Sequence, residues 1–136
     1  MTARIHATTV AIGERAVAIL GPSGAGKSDL ALRLIDRKAM LVADDYTELE
    51  IVDGALLARP PAMIAGKLEV RGIGIVAQPF RAPVRVALAV RLGEEERMPE
   101  PRFATLAGVS VPEVTIDPRA PTAPLKVELA LEAWGR

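Results

Sequence analysis

The alternation of apolar and polar positions divides the chain into short strand-like runs, with one amphipathic helix near the start. Residues 5–12 are rich in β-branched side chains and read as a strand that turns at Gly13-Glu14. Residues 15–20 (RAVAIL) form a short apolar run of the kind found in buried strands, and a glycine-rich loop follows at once. Over residues 27–37, Leu30, Ala31, Leu34 and Ile35 fall on one face of a helix. Asp29 sits in its first turn, where a carboxylate meets the positive end of the helix dipole. Residues 40–43 are apolar again and end at Asp44-Asp45, which predicts a second buried strand. Strand, glycine loop, helix and strand together make a βαβ unit of about thirty residues.

Beyond this unit, residues 47–52 alternate and predict a further strand, turning at Asp53-Gly54 into Leu56-Leu57. Arg59-Pro60-Pro61 breaks the pattern. Residues 68–70 and 73–76 flank a glycine-containing turn, and residues 83–92 (PVRVALAVRL) read as a strand. Glu94 to Arg97 make a charged connection. The prolines between Pro99 and Pro124 argue against helix there and leave room for short strands at 103–106 and 114–116. Residues 125–134 predict a final helix.

Composition narrows the function classes. The chain has 136 residues, about one domain by length, and half of them are apolar, which suits a packed globule. Aromatics are few, so the core must be built from Ala, Val, Leu and Ile. Seventeen basic residues balance seventeen acidic ones, which gives none of the basic excess of a nucleic-acid binder. The absence of cysteine excludes disulfides, thiolate metal sites and a cysteine nucleophile, and a single histidine, His6, excludes a multi-histidine metal centre. No apolar run reaches the ~20 residues that span a bilayer, and the N-terminus lacks a signal-peptide core, so the expected location is the cytoplasm and no membrane partner is expected.

Gly21-Pro22-Ser23-Gly24-Ala25-Gly26-Lys27-Ser28 matches the phosphate-binding pattern G-x-x-x-x-G-K-[ST] in full. It also lies between an apolar strand and an amphipathic helix, the context the pattern requires. Glycines let the backbone wrap a phosphate, and the loop N–H groups and helix N-terminus point at the anion. Lys27 would reach the β- and γ-phosphates and the Ser28 hydroxyl would ligate Mg²⁺. The ligand expected is Mg-ATP or a close relative.

Asp44 and Asp45 end the next apolar strand, where ligands bind in parallel α/β sheets. They can hold Mg²⁺, or one can accept a proton from an incoming hydroxyl. A turn or a helix cap would show the same residues. Glu69-Val70-Arg71 fits a metal ligand beside a charge clamp, and equally a solvated strand edge. His6, on the first strand, fits either a structural or a catalytic histidine. Arg97, Arg102 and Arg119 read most simply as solvated charges in proline-rich loops.

Taken together, His6, GPSGAGKS at 21–28, LVADD at 41–45 and LEVRGIGIV at 68–76 resemble the catalytic domain of bacterial HPr kinase/phosphorylase, in order and spacing across residues 4–80. The resemblance implies a single strand-rich α/β P-loop domain over residues 1–136, of the phosphoenolpyruvate-carboxykinase-like type. It implies a protein serine kinase that uses ATP and Mg²⁺ to phosphorylate the small phosphocarrier protein HPr, and so regulates carbon metabolism. By the family motif, Lys27 binds phosphate, Ser28 and Glu69 hold the metal, Asp44 or Asp45 is the base, with Asp44 favoured and Asp45 as its neighbour, His6 is functional, and Arg71 lies in the signature loop. The arginine used in the reverse, phosphorolytic reaction falls at Arg97 or Arg102, and its assisting loop at residues 117–124. The chain reads His6-Ala7 where the family often has His-Gly, lacks the family's separate N-terminal domain and has a short C-terminal part, as in short alphaproteobacterial forms. These departures leave phosphorolysis and homo-oligomer formation open. Two other classes compete: a small-molecule kinase, which would carry an arginine-rich lid and more helices, and a nucleotide-sensing module, which would need no carboxylate pair.

Overall fold

The computed structural model describes residues 2–136 and contains ten strands and two α-helices. The strands are β1 (Thr2–Ile12), β2 (Arg15–Leu20), β3 (Met40–Ala43), β4 (Tyr46–Val52), β5 (Ala55–Arg59), β6 (Lys67–Val70), β7 (Gly74–Ala77), β8 (Val84–Leu92), β9 (Arg102–Leu106) and β10 (Val109–Ile116). The helices are α1 (Lys27–Asp36) and α2 (Ala123–Trp134). These elements coincide with the runs expected from periodicity to within a few residues at most ends. The strand expected from residue 5 begins at Thr2, because its first residues pair with β4 from Thr2↔Glu50 onward. The strand expected at 114–116 begins at Val109 and includes Pro112. Up to Pro112, β10 has only β9 as a partner, and its pairing with β8 starts at Glu113, so the missing proline N–H faces no second ladder.

The βαβ unit is present, with one strand inserted. β2 and β3 run parallel, joined by α1, but both pair antiparallel with β1, which lies between them. On one edge of β1, β3 pairs with Thr9–Ala11 and β4 with Thr2–His6. Residues 40–52 therefore form a single antiparallel partner of β1, interrupted only at Asp44-Asp45, opposite Ala7 and Thr8.

β8 closes the sheet. It pairs parallel with β2, antiparallel with β5 at Leu57↔Arg85, and parallel with β10 from Ala89 to Leu92. The order β2-β1-β4-β5-β8 thus returns to β2, and the sheet curls on itself. Alternation along each strand feeds two cores. Val17 and Ile19 of β2 and Leu88 and Val90 of β8 face Leu30 and Leu34 of α1 and Val127 and Leu131 of α2. Ala16 and Ala18 of β2, Ala7 and Ala11 of β1 and Ala89 of β8 face the inside of the curl with Leu49 and Val42. Alanine is the common residue inside because a tightly curled sheet leaves little radial space. Each fully buried leucine or valine contributes about 1.5–3 kcal/mol of transfer free energy. Among the described residues, no helix is long and apolar enough to cross a membrane.

The parallel strands β2, β8, β10 and β3 all end on one edge, and that edge carries the site. Two polar clamps hold its loops. Arg33 of α1 donates to the carbonyls of Pro118 (2.6 Å) and Ala120 (3.4 Å), so the loop after β10 is tied to the helix that follows the glycine-rich loop. Glu95, in the loop after β8, accepts from the Asp117 N–H at 2.9 Å and from Lys126 of α2 at 2.7 Å. The Lys126 ammonium and then the Asp117 N–H hold the Glu95 carboxyl below its usual range. A carboxylate with a lowered folded pKa adds stability that is complete above its unfolded pKa and is lost as pH falls through the folded value. Glu95→Gln is therefore expected to lower Tm by about 3 °C near neutral pH, and the difference from the parent should shrink as pH falls below the usual carboxylate range. Thermal melts across that range check this, and a difference that persisted in acid would contradict it.

Candidate active site

The glycine-rich loop leaves β2 at Leu20 and packs at Gly21 against Leu92, the last residue of β8. Gly24 and Gly26 adopt φ of 81° and 104°, left-handed values that a side chain resists. Gly26 is also the residue that starts α1, with no side-chain cap, so the first-turn N–H groups stay open toward the loop. Lys27 is buried and its ammonium donates to the Gly21 carbonyl (2.8 Å) and the Pro22 carbonyl (2.9 Å). Burial lowers the Lys27 pKa, opposed by the nearby charges of Asp45 and Asp44. The glycine-rich loop and the carboxylate pair thus share one electrostatic field.

The two aspartates differ. Asp44 is only 6% exposed, and its carboxylate accepts from donors on three separate elements. Oδ1 accepts from the Ser28 hydroxyl of α1 at 2.6 Å and from the Thr8 hydroxyl of β1 at 3.0 Å. Oδ2 accepts from the Glu69 N–H of β6 at 2.9 Å. Asp45 is open to solvent and accepts at Oδ1 from His6, whose Nε2 lies 2.8 Å away. The backbone explains the divergence: Asp45 has φ 69°, and the Tyr46 N–H reaches back to the Asp44 carbonyl at 2.7 Å, which closes a three-residue γ-turn in the gap between β3 and β4. Backbone of this kind is strained and is held only where the surroundings over-determine it.

The turn also breaks strand alternation. His6 and Thr8 lie two residues apart on β1 and so share a face, and each holds one of the two carboxylates. Both aspartates therefore face the site, which an unbroken strand would not allow. The sequence left the base open between Asp44 and Asp45, with Asp44 favoured, and the two now differ in surroundings. Asp44 has the burial and donors of a fixed carboxylate beside the Ser28 hydroxyl, and Asp45 is the accessible one.

The remaining expected residues take distinct places. Glu69 contributes its backbone N–H, and its side chain is exposed on the hairpin of β6 and β7. No group of three His, Asp or Glu side chains converges on a metal position among the described residues. Arg71 lies exposed in the turn of that hairpin. Arg97 lies exposed in the loop after β8, at the same edge of the sheet. Arg102 is engaged by Glu96 at 2.5 Å. The loop at residues 117–124 meets the glycine-rich loop, with Pro118 next to Gly26. Two residues escape the sequence reading. Thr8 looks like an ordinary β-branched strand residue, and only its place two positions after His6 hints at a role. Tyr46 packs beside His6, with ring centroids 5.2 Å apart.

Comparison with known proteins matches this arrangement to one family. The family model of the HPr serine kinase C-terminal domain matches residues 1–122. The chain is 44% identical over 73 residues to the HPr kinase/phosphorylase of Clostridium beijerinckii, covering 54% of this chain and 24% of that protein. It is 43% identical over 76 residues to the HPr kinase/phosphorylase of Clostridium acetobutylicum, covering 56% of this chain and 25% of that protein. The chain therefore spans about a quarter of the length of the curated relatives it matches. The solved structure of the Hpr(Ser) kinase/phosphatase from Coxiella burnetii superimposes with a TM-score of 0.83 at 28% identity, over 96% of this chain and 88% of that one. By sequence family, and with the strand-rich α/β fold to match, the chain belongs to the HPr serine kinase C-terminal domain family.

Proposed function

We propose that the chain is a protein serine kinase that transfers the γ-phosphoryl group of ATP to a serine of the phosphocarrier protein HPr. It would do so within a single domain, residues 1–136, of the phosphoenolpyruvate-carboxykinase-like P-loop type. The observation that carries this reading is the division of labour between Asp44, fixed beside Ser28, and Asp45, open to solvent beside His6. A nucleotide sensor needs neither. The names of the relatives point the same way.

The residues fit Mg²⁺. Ser28 gives its proton to Asp44, so a hydroxyl lone pair remains for a cation, and the donor set is all oxygen. Mg²⁺ takes one or two protein carboxylates and fills its shell with phosphate and water oxygens, so the lack of a three-carboxylate cluster is no obstacle. Ser28 and Asp44 would hold it, with Glu69 at the margin. When bound, the metal neutralises charge between the β- and γ-phosphates.

The chain's own residues would do the rest. Lys27 exchanges the Gly21 and Pro22 carbonyls for phosphate oxygens, and the α1 N–H groups and loop amides cradle the same anion. The substrate hydroxyl approaches in line from the open side. Its oxygen forms the new bond to the γ-phosphorus, the bond from that phosphorus to the ADP oxygen breaks, and the hydroxyl proton passes to Asp45. His6 fixes the Asp45 carboxylate for that transfer. In the reverse direction, inorganic phosphate attacks the phosphoserine to give pyrophosphate, and the serine oxygen regains its proton from Asp45. Arg97 is the arginine available for that step, because Arg102 is already paired. Arg71 stands at the hairpin turn to meet incoming negative charge.

Incubation with Mg-ATP and HPr should yield phosphoserine on HPr by mass spectrometry, and its absence under every metal and nucleotide condition would overturn the reading. Asp45→Asn should keep Mg-ATP affinity within about threefold while kcat drops by about 10²–10⁴-fold. Asp44→Asn should instead weaken Mg²⁺-dependent ATP binding, measured by calorimetry with and without the metal. Interchanged effects would reverse the assignment of the two carboxylates.

A further inference from the structure

We propose that Thr8 is a positioning residue that latches Asp44 and Asp45 into their divergent orientations. Among the described residues, its hydroxyl is the one side-chain group hydrogen-bonded to both. Thr8 is fully buried, with 0% exposure, so its hydroxyl must find its partners within the protein. A hydroxyl has one proton and two lone pairs. The proton goes to Asp44 Oδ1 at 3.0 Å, since a carboxylate can only accept. That leaves a lone pair for the Asp45 N–H, which donates to the same oxygen at 3.2 Å. The direction of both bonds is thus fixed, and one atom spans the residues on either side of the peptide that enters the γ-turn.

The latch acts where the backbone is least able to hold itself. With Asp45 at φ 69°, the Asp44-Asp45 turn lies outside the ladder that pairs β3 and β4 with β1. Without the hydroxyl, the Asp45 N–H loses its side-chain acceptor, and the turn is free to relax toward the extended conformation on either side. Relaxation would carry the Asp45 carboxylate away from His6 and from the line of attack. Asp44 would keep Ser28 and the Glu69 N–H. The cost should therefore fall on the transfer step more than on nucleotide binding.

The next residue supplies an internal control. Thr9 is equally buried, and its hydroxyl lies 2.9 Å from that of Thr47, which gives its own proton to the Ala7 carbonyl. The Thr9 hydroxyl hydrogen-bonds neither aspartate. Removing its hydroxyl disturbs the same strand pair without reaching the turn.

The kinetic consequence rests on the kinase reading above, and the geometric one does not, so two readouts are paired. Thr8→Val, Thr8→Ser and Thr9→Val are compared with the parent. Thr8→Val should lower kcat by at least about tenfold with KM for ATP changed less than about threefold, since small misplacement of a reacting group is costly. Thr8→Ser should recover most of the loss. Thr9→Val should lower Tm and leave kcat within about twofold of the parent. By amide hydrogen exchange in NMR spectra, the Asp45 N–H should exchange at least about tenfold faster in Thr8→Val and be unchanged in Thr9→Val. Parental Asp45 protection in Thr8→Val, failure of serine to restore, or equal slowing by Thr8→Val and Thr9→Val would overturn the proposal. A parent that does not phosphorylate HPr would remove the kinase reading and leave the Asp45 exchange rate to decide the role of Thr8.

Discussion

The carboxylate of Asp44 is the point on which the site depends. A buried charge is tolerable only when hydrogen bonds compensate it, and here three donors from β1, α1 and β6 do so while one acceptor position of Oδ2 stays open. Each donor fixes its own element. Thr8 ties the first strand, Ser28 ties the start of the helix below the phosphate-binding loop, and the Glu69 N–H docks the hairpin of β6 and β7 against the main sheet. Removing this one carboxylate would leave three orphaned donors at the junction of three elements, so the geometry of the loop, the strand and the hairpin stands or falls together.

From that anchor the rest of the edge follows. β1 can hold β3 and β4 as one interrupted partner because the interruption falls where Asp44 is pinned. The γ-turn then turns Asp45 out beside His6 instead of into the sheet. A strained residue next to a firmly hydrogen-bonded one suits the phosphoryl transfer proposed above. In the proposed reaction the fixed carboxylate would keep its place as the nucleotide binds, and the open one would meet the second substrate. The sheet supports this by curling. Closure through β8 brings the ends of β2, β8 and β10 to one edge, and the Arg33 and Glu95 clamps fasten the following loops there.

Much of this was legible in the sequence, for identifiable reasons. Residues 21–28 combine glycines that need left-handed backbone with a lysine and a serine at set positions, and the apolar run before them and the helical face after them are local signals. The strands at 15–20, 40–43 and 83–92 are short apolar runs that periodicity finds directly. The pairing of β8 with β2 and β10 was not legible, because it joins residues some seventy positions apart in the first case and 24 in the second, and local pattern carries no register. The roles of Asp44 and Asp45 were not separable either. Alternation would send adjacent strand residues to opposite faces, and only the positive φ at Asp45 brings both to one side. Thr8 was hidden for the same reason, since a threonine in a strand is ordinary until its neighbours across the sheet are known.

The division between a fixed, metal-side carboxylate and an open, acceptor-side carboxylate is tested most directly by a crystal structure with HPr, Mg²⁺ and a non-hydrolysable ATP analogue. The geometry predicts the cation against Ser28 and Asp44, and the target serine hydroxyl within hydrogen-bond reach of the Asp45 carboxylate beside His6. A cation seated between His6 and Asp45, or a serine hydroxyl turned toward Asp44, would contradict it.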